Sequence, residues 1–135
     1  MNFVNPIEEV HDQCTYANYT EVVTKNLHLD FFVNFEKLII EGEVILEMTA
    51  LKDEVKVVYL DSWDLKILGV SKDGKPLEYA LEDPSNMAHE IGECLRIDLP
   101  EAIMKDQVFK ISVKYETTDK STALNFLSKE QTLEK

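Results

Sequence analysis

Cysteine is scarce in this chain. Cys14 and Cys94 are the only two among 135 residues, and nothing resembling a basic, then apolar leader opens "MNFVNPIEEVHDQCTY". Two cysteines without a leader predict reduced thiols and a cytoplasmic location rather than a disulfide framework. No apolar run approaches membrane-spanning length. Positive charge is also short: 14 Lys and Arg stand against 26 Asp and Glu, for a net charge of −12. That field repels phosphate backbones and anionic lipid, which argues against nucleic acid and membrane as partners and otherwise serves solubility. The four glycines build no phosphate-cradling loop. A serine nucleophile elbow, a basic–aromatic stripe, internal repeats, low-complexity tracts and linkers are missing as well.

What is present suits one domain with its own core. The chain is 44 % apolar, and at this length about two thirds of the unfolded surface can be buried without a disulfide or a metal. The first two dozen residues, with Pro6 and "NYTE", read as a loose polar lead-in. "NYT" at Asn18–Thr20 fits the glycosylation acceptor pattern by chance, given no sign of secretion. Period-two patterning then begins. In "LHLDFFVNF", Leu27, Leu29, Phe31, Val33 and Phe35 share one face of a strand. "EK" (Glu36–Lys37) punctuates, and "LIIEGEVILEM" sets Ile40, Val44, Leu46 and Met48 against Glu41, Glu43 and Glu47. Gly42 falls in that apolar row, which predicts a bulge or a close backbone approach.

"EVKVVYLDS" is apolar on both faces and predicts a strand covered on both sides. "DLKILGV" is another strand, and Asp73-Gly74 in "SKDGKP" predicts a hairpin turn from which "LEYAL" returns. "EDPSNMAHEIGE" reads as a polar connection. "CLRIDLP" alternates Leu95, Ile97 and Leu99 until Pro100 stops it, and "EAIMKDQ" predicts one short helical turn. "VFKISVKYET" is a clean strand with Phe109, Ile111, Val113 and Tyr115 on one face. Six to eight short strands without a long helix predict an all-β fold, an antiparallel β-sandwich or saddle-like sheet spanning residues 1–135 as a single β domain.

Candidate chemistry is thin. "HEIGE" at His89–Glu93 nearly matches the zinc-peptidase pattern, in which two histidines four apart on a helix converge on the metal. Glu93 stands where the second histidine is needed, and Gly92 disfavours a helix, so the segment reads as a solvated loop. His11 and His28 lie apart, and neither cysteine has a flanking base to activate it. Asp61, Asp64, Asp73, Glu82 and Asp83 fall at strand ends and turns, where acidic side chains bond the local backbone. Trp63 reads as a half-buried packing residue. No catalytic, cofactor-binding or metal-ligating residue is assigned.

Several segments taken in order are nonetheless distinctive. "TKNLHLDFFVNFEKLIIEGEVILEMTA", "VYLDSWDLKILGV", "GKPLEYAL" and "DQCTYAN" together resemble the opening of M1-family zinc aminopeptidases. "ISVKYETTDKSTALNFLSKEQT" closely resembles the corresponding segment of the leukotriene A4 hydrolase group. The resemblance covers the chain from about Asp12 onward. It implies a saddle-like N-terminal β domain, incomplete at its C-terminal end, that serves as scaffold and wall for a zinc-bearing catalytic domain. That domain's His-Glu-x-x-His, later Glu and Gly-x-Met-Glu-Asn segments do not occur in these 135 residues, so no functional residue carries over and zinc belongs to the missing part. The partner implied is that catalytic domain. Homo-oligomerisation through an open sheet edge, or through a sticky patch of Leu124, Phe126 and Leu127, is a further expectation. The alternative reading is a free-standing β-sandwich module that binds a protein. Ser128–Gln131, "SKEQ", predicts a capped helical turn.

Overall fold

A computed structural model describes Asp12, residues 14–82 and residues 92–132. Among these residues eight strands follow in order: β1 (Val22–Asn34), β2 (Ile39–Ala50), β3 (Val55–Ser62), β4 (Leu65–Lys72), β5 (Lys75–Pro76), β6 (Tyr79–Glu82), β7 (Glu93–Ile103) and β8 (Val108–Thr117). They form two antiparallel sheets, one of five strands ordered β1-β2-β8-β4-β5 and one of three ordered β3-β7-β6. Among the described residues there is no α-helix; a 3₁₀ turn occupies Lys129–Gln131.

The core lies between the sheets. The larger contributes Met48, Val70, Ile111 and Val113, and the smaller contributes Val58, Leu95 and Ile97. Alternation supplies these rows directly, since every second side chain of a strand points the same way. Gly42 sits opposite both Phe31 and Tyr115 in unbroken register. It marks a close approach and not a bulge: a Cβ there would lie 2.9 Å from Tyr115 Oη and 3.0 Å from Phe31 Cβ. The bulge of β1 falls at its start, between Thr24 and Asn26.

Asp73 and Gly74 take φ of 51° and 75°, as a tight two-residue hairpin requires. The return strand differs from expectation. Only Lys75 and Pro76 pair with β4, after which Leu77 donates to Val70 O at 2.9 Å and the chain crosses to the other sheet. There Asp98 N–H donates to Glu78 O and β6 pairs with β7. Leu77 is buried in the core where the chain crosses. Pro100 does not end its strand either: β7 runs on to Ile103. It falls within the irregular stretch of the β3–β7 pairing, between Ile103 opposite Val55 and Asp98 opposite Val57, where a missing N–H costs no ladder bond. Glu101–Ile103 is therefore strand and not helix, and Gln107 closes the following turn by accepting from Met104 N–H at 2.8 Å. β3 buries one face fully at Val55 and Val58, while Val57 and Tyr59 on the other are half-buried.

The polar lead-in is pinned from Thr15 onward. Asn18 donates from Nδ2 to Val57 O at 2.9 Å and accepts Tyr59 N–H on Oδ1 at 2.9 Å. Its amide thus copies the bonding of a neighbouring strand along the β3 edge. Asp61 extends the attachment, accepting from Tyr16 N–H at 2.7 Å and from the Thr15 hydroxyl.

Candidate functional site

Among the described residues, those with reactive side chains do not converge. His28 lies exposed on the polar face of β1. His11, Asp83 and the His89–Ile91 portion of "HEIGE" fall outside the described residues. Gly92 and Glu93, its remaining part, adopt a left-handed residue (φ 98°) and the first position of β7. Asp61 is spent on the lead-in segment, Asp64 and Asp73 sit in turns with positive φ, and Glu82 pairs with Arg96 at 3.3 Å. Arg96 also bonds Asp98 at 3.0 Å, and these two carboxylates raise its guanidinium further above its ordinary range. Trp63 is about half exposed, and its ring edge backs onto Gly92. Zinc, which the family resemblance implies, finds no fit here: among the described residues no group of three His, Cys, Asp or Glu could hold a metal ion.

The cysteines differ in kind. Cys14 is exposed and Cys94 is buried. Burial, then the nearby charges of Glu82 and Asp61, push the Cys94 thiol from an ordinary 9.0 up to about 11. A native thiol that resists ionisation stabilises the fold fully below the unfolded value, and that contribution is lost as pH rises toward the native one. The stability difference between the wild type and Cys94→Ala, followed by urea unfolding, is therefore expected to shrink between pH 9 and 11, in the direction set by the cited shift. A constant difference across that window would contradict the burial.

What the surface does offer is an apolar ledge. Across the five-stranded sheet Ile111, Leu46 and Leu27 stand in one row, and Val113, Val44 and Leu29 in the next. Burial falls along both rows. Ile111 and Val113 are buried, Leu46 and Val44 are half-buried, and Leu27, Leu29 and Phe31 on β1 are 59, 50 and 54 % exposed. The smaller sheet covers β8 and leaves β1 overhanging. Where the cover ends, a groove of about 290 Å³ opens among Leu29, Val44, Leu60, Ile67, Leu95 and Tyr115. Ser62, buried beside it, has a hydroxyl with no hydrogen-bond partner among the described residues. The apolar alternation of β1 was legible, but its exposure was not.

At the other end of β1, Phe126 packs edge-on against Phe35, with ring centroids 6.4 Å apart. Leu124 and Phe126 are half-buried while Leu127 is exposed, so the tail partly folds back on the sheet and partly faces solvent. Gln131 reaches back as expected, its Oε1 accepting from Ser128 N–H at 2.9 Å.

No family profile matches the chain. Individual relatives do. Leucine aminopeptidase 2 of Candida glabrata is 32 % identical over 122 residues, covering 90 % of this chain and 18 % of that protein. Leucine aminopeptidase 2 of Coccidioides immitis is 31 % identical across 98 % of this chain and 21 % of its own length. Among solved structures, native leukotriene A4 hydrolase from Saccharomyces cerevisiae superposes with a TM-score of 0.71 at 28 % identity, over 85 % of this chain and 18 % of that one. An M1 zinc metallopeptidase from Deinococcus radiodurans shares the fold alone, with a TM-score of 0.59 at 12 % identity. The chain is a homologue of the N-terminal region of the M1 zinc metallopeptidase family. Within that family its relatives are leucine aminopeptidase 2 and leukotriene A4 hydrolase, and it spans about a fifth of their length.

Proposed function

We propose that this chain is the non-catalytic β domain of a leukotriene A4 hydrolase-like zinc aminopeptidase. Its role is to scaffold a catalytic domain and to form one wall near the substrate cleft. The enzyme so assembled hydrolyses amino-terminal peptide bonds and is a candidate for opening a lipid epoxide, in the cytoplasm. The observation that carries this reading is the combination of 31–32 % identity over nearly the whole chain with coverage of only about a fifth of each relative. The zinc and the groups that activate water belong to the remainder of such an enzyme, and nothing in the described residues substitutes for them.

Reading the coding sequence beyond the Lys135 codon tests the proposal. An open frame encoding Gly-x-Met-Glu-Asn and His-Glu-x-x-His is the expected result, and a stop codon there overturns it. The 135-residue chain incubated with zinc and leucine p-nitroanilide should release no p-nitroaniline. Turnover by the chain alone overturns the non-catalytic assignment.

A further inference from the structure

Sheet edges attract other strands unless they are protected. Among the described edges, three are short or sealed, and β4 beyond its two pairs with β5 offers only Leu65–Val70, where Val70 O already accepts from Leu77 N–H. β5 has two residues and carries Pro76, β6 has four, and β3 is capped by the amide of Asn18, in a lead-in also held by Tyr16 N–H on the carboxylate of Asp61 of β3. β1 is different. It is 13 residues long, has β2 as its sole neighbour among the described residues, and its bulge blunts only the first few positions. Its inward row is the exposed apolar ledge.

We propose that β1 is a self-association strand, through which two copies of this chain pair antiparallel about a twofold axis at Leu29. Charge selects that register. A twofold pairing keeps like faces together when it is centred on a residue, so the alternatives can be compared one by one. Centring on Leu29 sets Leu29 against itself, Leu27 against Phe31, and His28 of one copy against Asp30 of the other. Centring on Asp30 instead opposes two aspartates, next to Glu43, which already faces Asp30 from β2. Centring on His28 opposes two histidines. The Leu29 register joins the two apolar ledges into one continuous strip and places the imidazole N–H beside a carboxylate. At long range two chains of charge −12 repel, so association strengthens with added salt.

The inference concerns the 135-residue chain itself and does not rest on the proposed function. Its test is sedimentation equilibrium, with a concentration-dependent dimer expected. Leu29→Lys puts two ammonium groups on the axis and should weaken the dimer by about tenfold or more. Leu29 is half exposed, so the fold survives the change. His28→Asp should weaken the dimer, and adding Asp30→His should restore it, a rescue that a folding defect cannot produce. Register is read by cross-linking in a Cys14→Ser background. Leu29→Cys should form an intermolecular disulfide, because directly opposed Cα atoms lie about 4.5–5.5 Å apart. Phe32→Cys should not, because its two copies would sit roughly 20 Å apart along the strands. A chain that stays monomeric at high concentration and high salt overturns the proposal, as does cross-linking at position 32 in preference to 29.

Discussion

Truncating Ile111 to Ala is expected to destabilise the fold by about 2–5 kcal/mol, while Leu27→Ala costs under about 1 kcal/mol. The two side chains stand in one row of one sheet, joined through Leu46. Ile111 is fully buried on the central strand β8, against the core that Val58 and Ile97 build from the other layer. Removing its methyl groups leaves a cavity that β2 and β4, hydrogen-bonded on either side, hold open. Leu27 is solvated over most of its surface, so truncating it opens no cavity. Urea unfolding at low protein concentration, where a dimer contributes little, measures both. Equal costs would mean that the ledge is covered in solution, and a small cost for Ile111 would place the core elsewhere.

Gly92→Ala is the second large effect, expected at roughly 2–4 kcal/mol. Gly92 has φ of 98°, a region an L side chain rarely enters, and an added Cβ would meet Ser62 O at 2.5 Å and Trp63 Cε3 at 2.7 Å. The nearer atom is backbone of β3 and cannot swing aside. Gly69→Ala is the matched control. That position has nothing within 4 Å of a built Cβ, so the change should be close to neutral or slightly stabilising. A midpoint for Gly92→Ala within error of the wild type would show that the start of β7 does not run against Ser62 and Trp63.

Much of this architecture is legible in the residue order because strands declare themselves by alternation. Phe109, Ile111, Val113 and Tyr115 announce β8, Asp73-Gly74 announces the β4–β5 hairpin, and a glycine interrupting an apolar row announces a bulge or a close approach, of which Gly42 makes the second, to Tyr115. Three features stay hidden for physical reasons. Alternation assigns the β1 row to one face but says nothing of what lies over it, and over β1 the second sheet stops short. The move of the chain between layers at Leu77 depends on long-range pairing of β6 with β7, which no local pattern encodes. The lead-in segment is held by side-chain bonds of Asn18 and Asp61 and has no period to detect. As for function, catalytic spacing was absent and the sole near match ended in Glu93. The legible signal was the order of whole segments, which is why the relationship to zinc aminopeptidases emerges from the sequence while a site does not.

The strand order of the larger sheet also bears on how the chain is made. Its middle position belongs to β8, which is synthesised last of the eight strands. During translation the β1–β2 hairpin and the β4–β5 hairpin can each form locally, but they cannot join until Val108–Thr117 leaves the ribosome and slots between them. Until then β2 and β4 both expose an unpaired edge. The slow and vulnerable interval in the folding of this sheet therefore lies between the emergence of β4 and that of β8, when a waiting chaperone would have the most to shield.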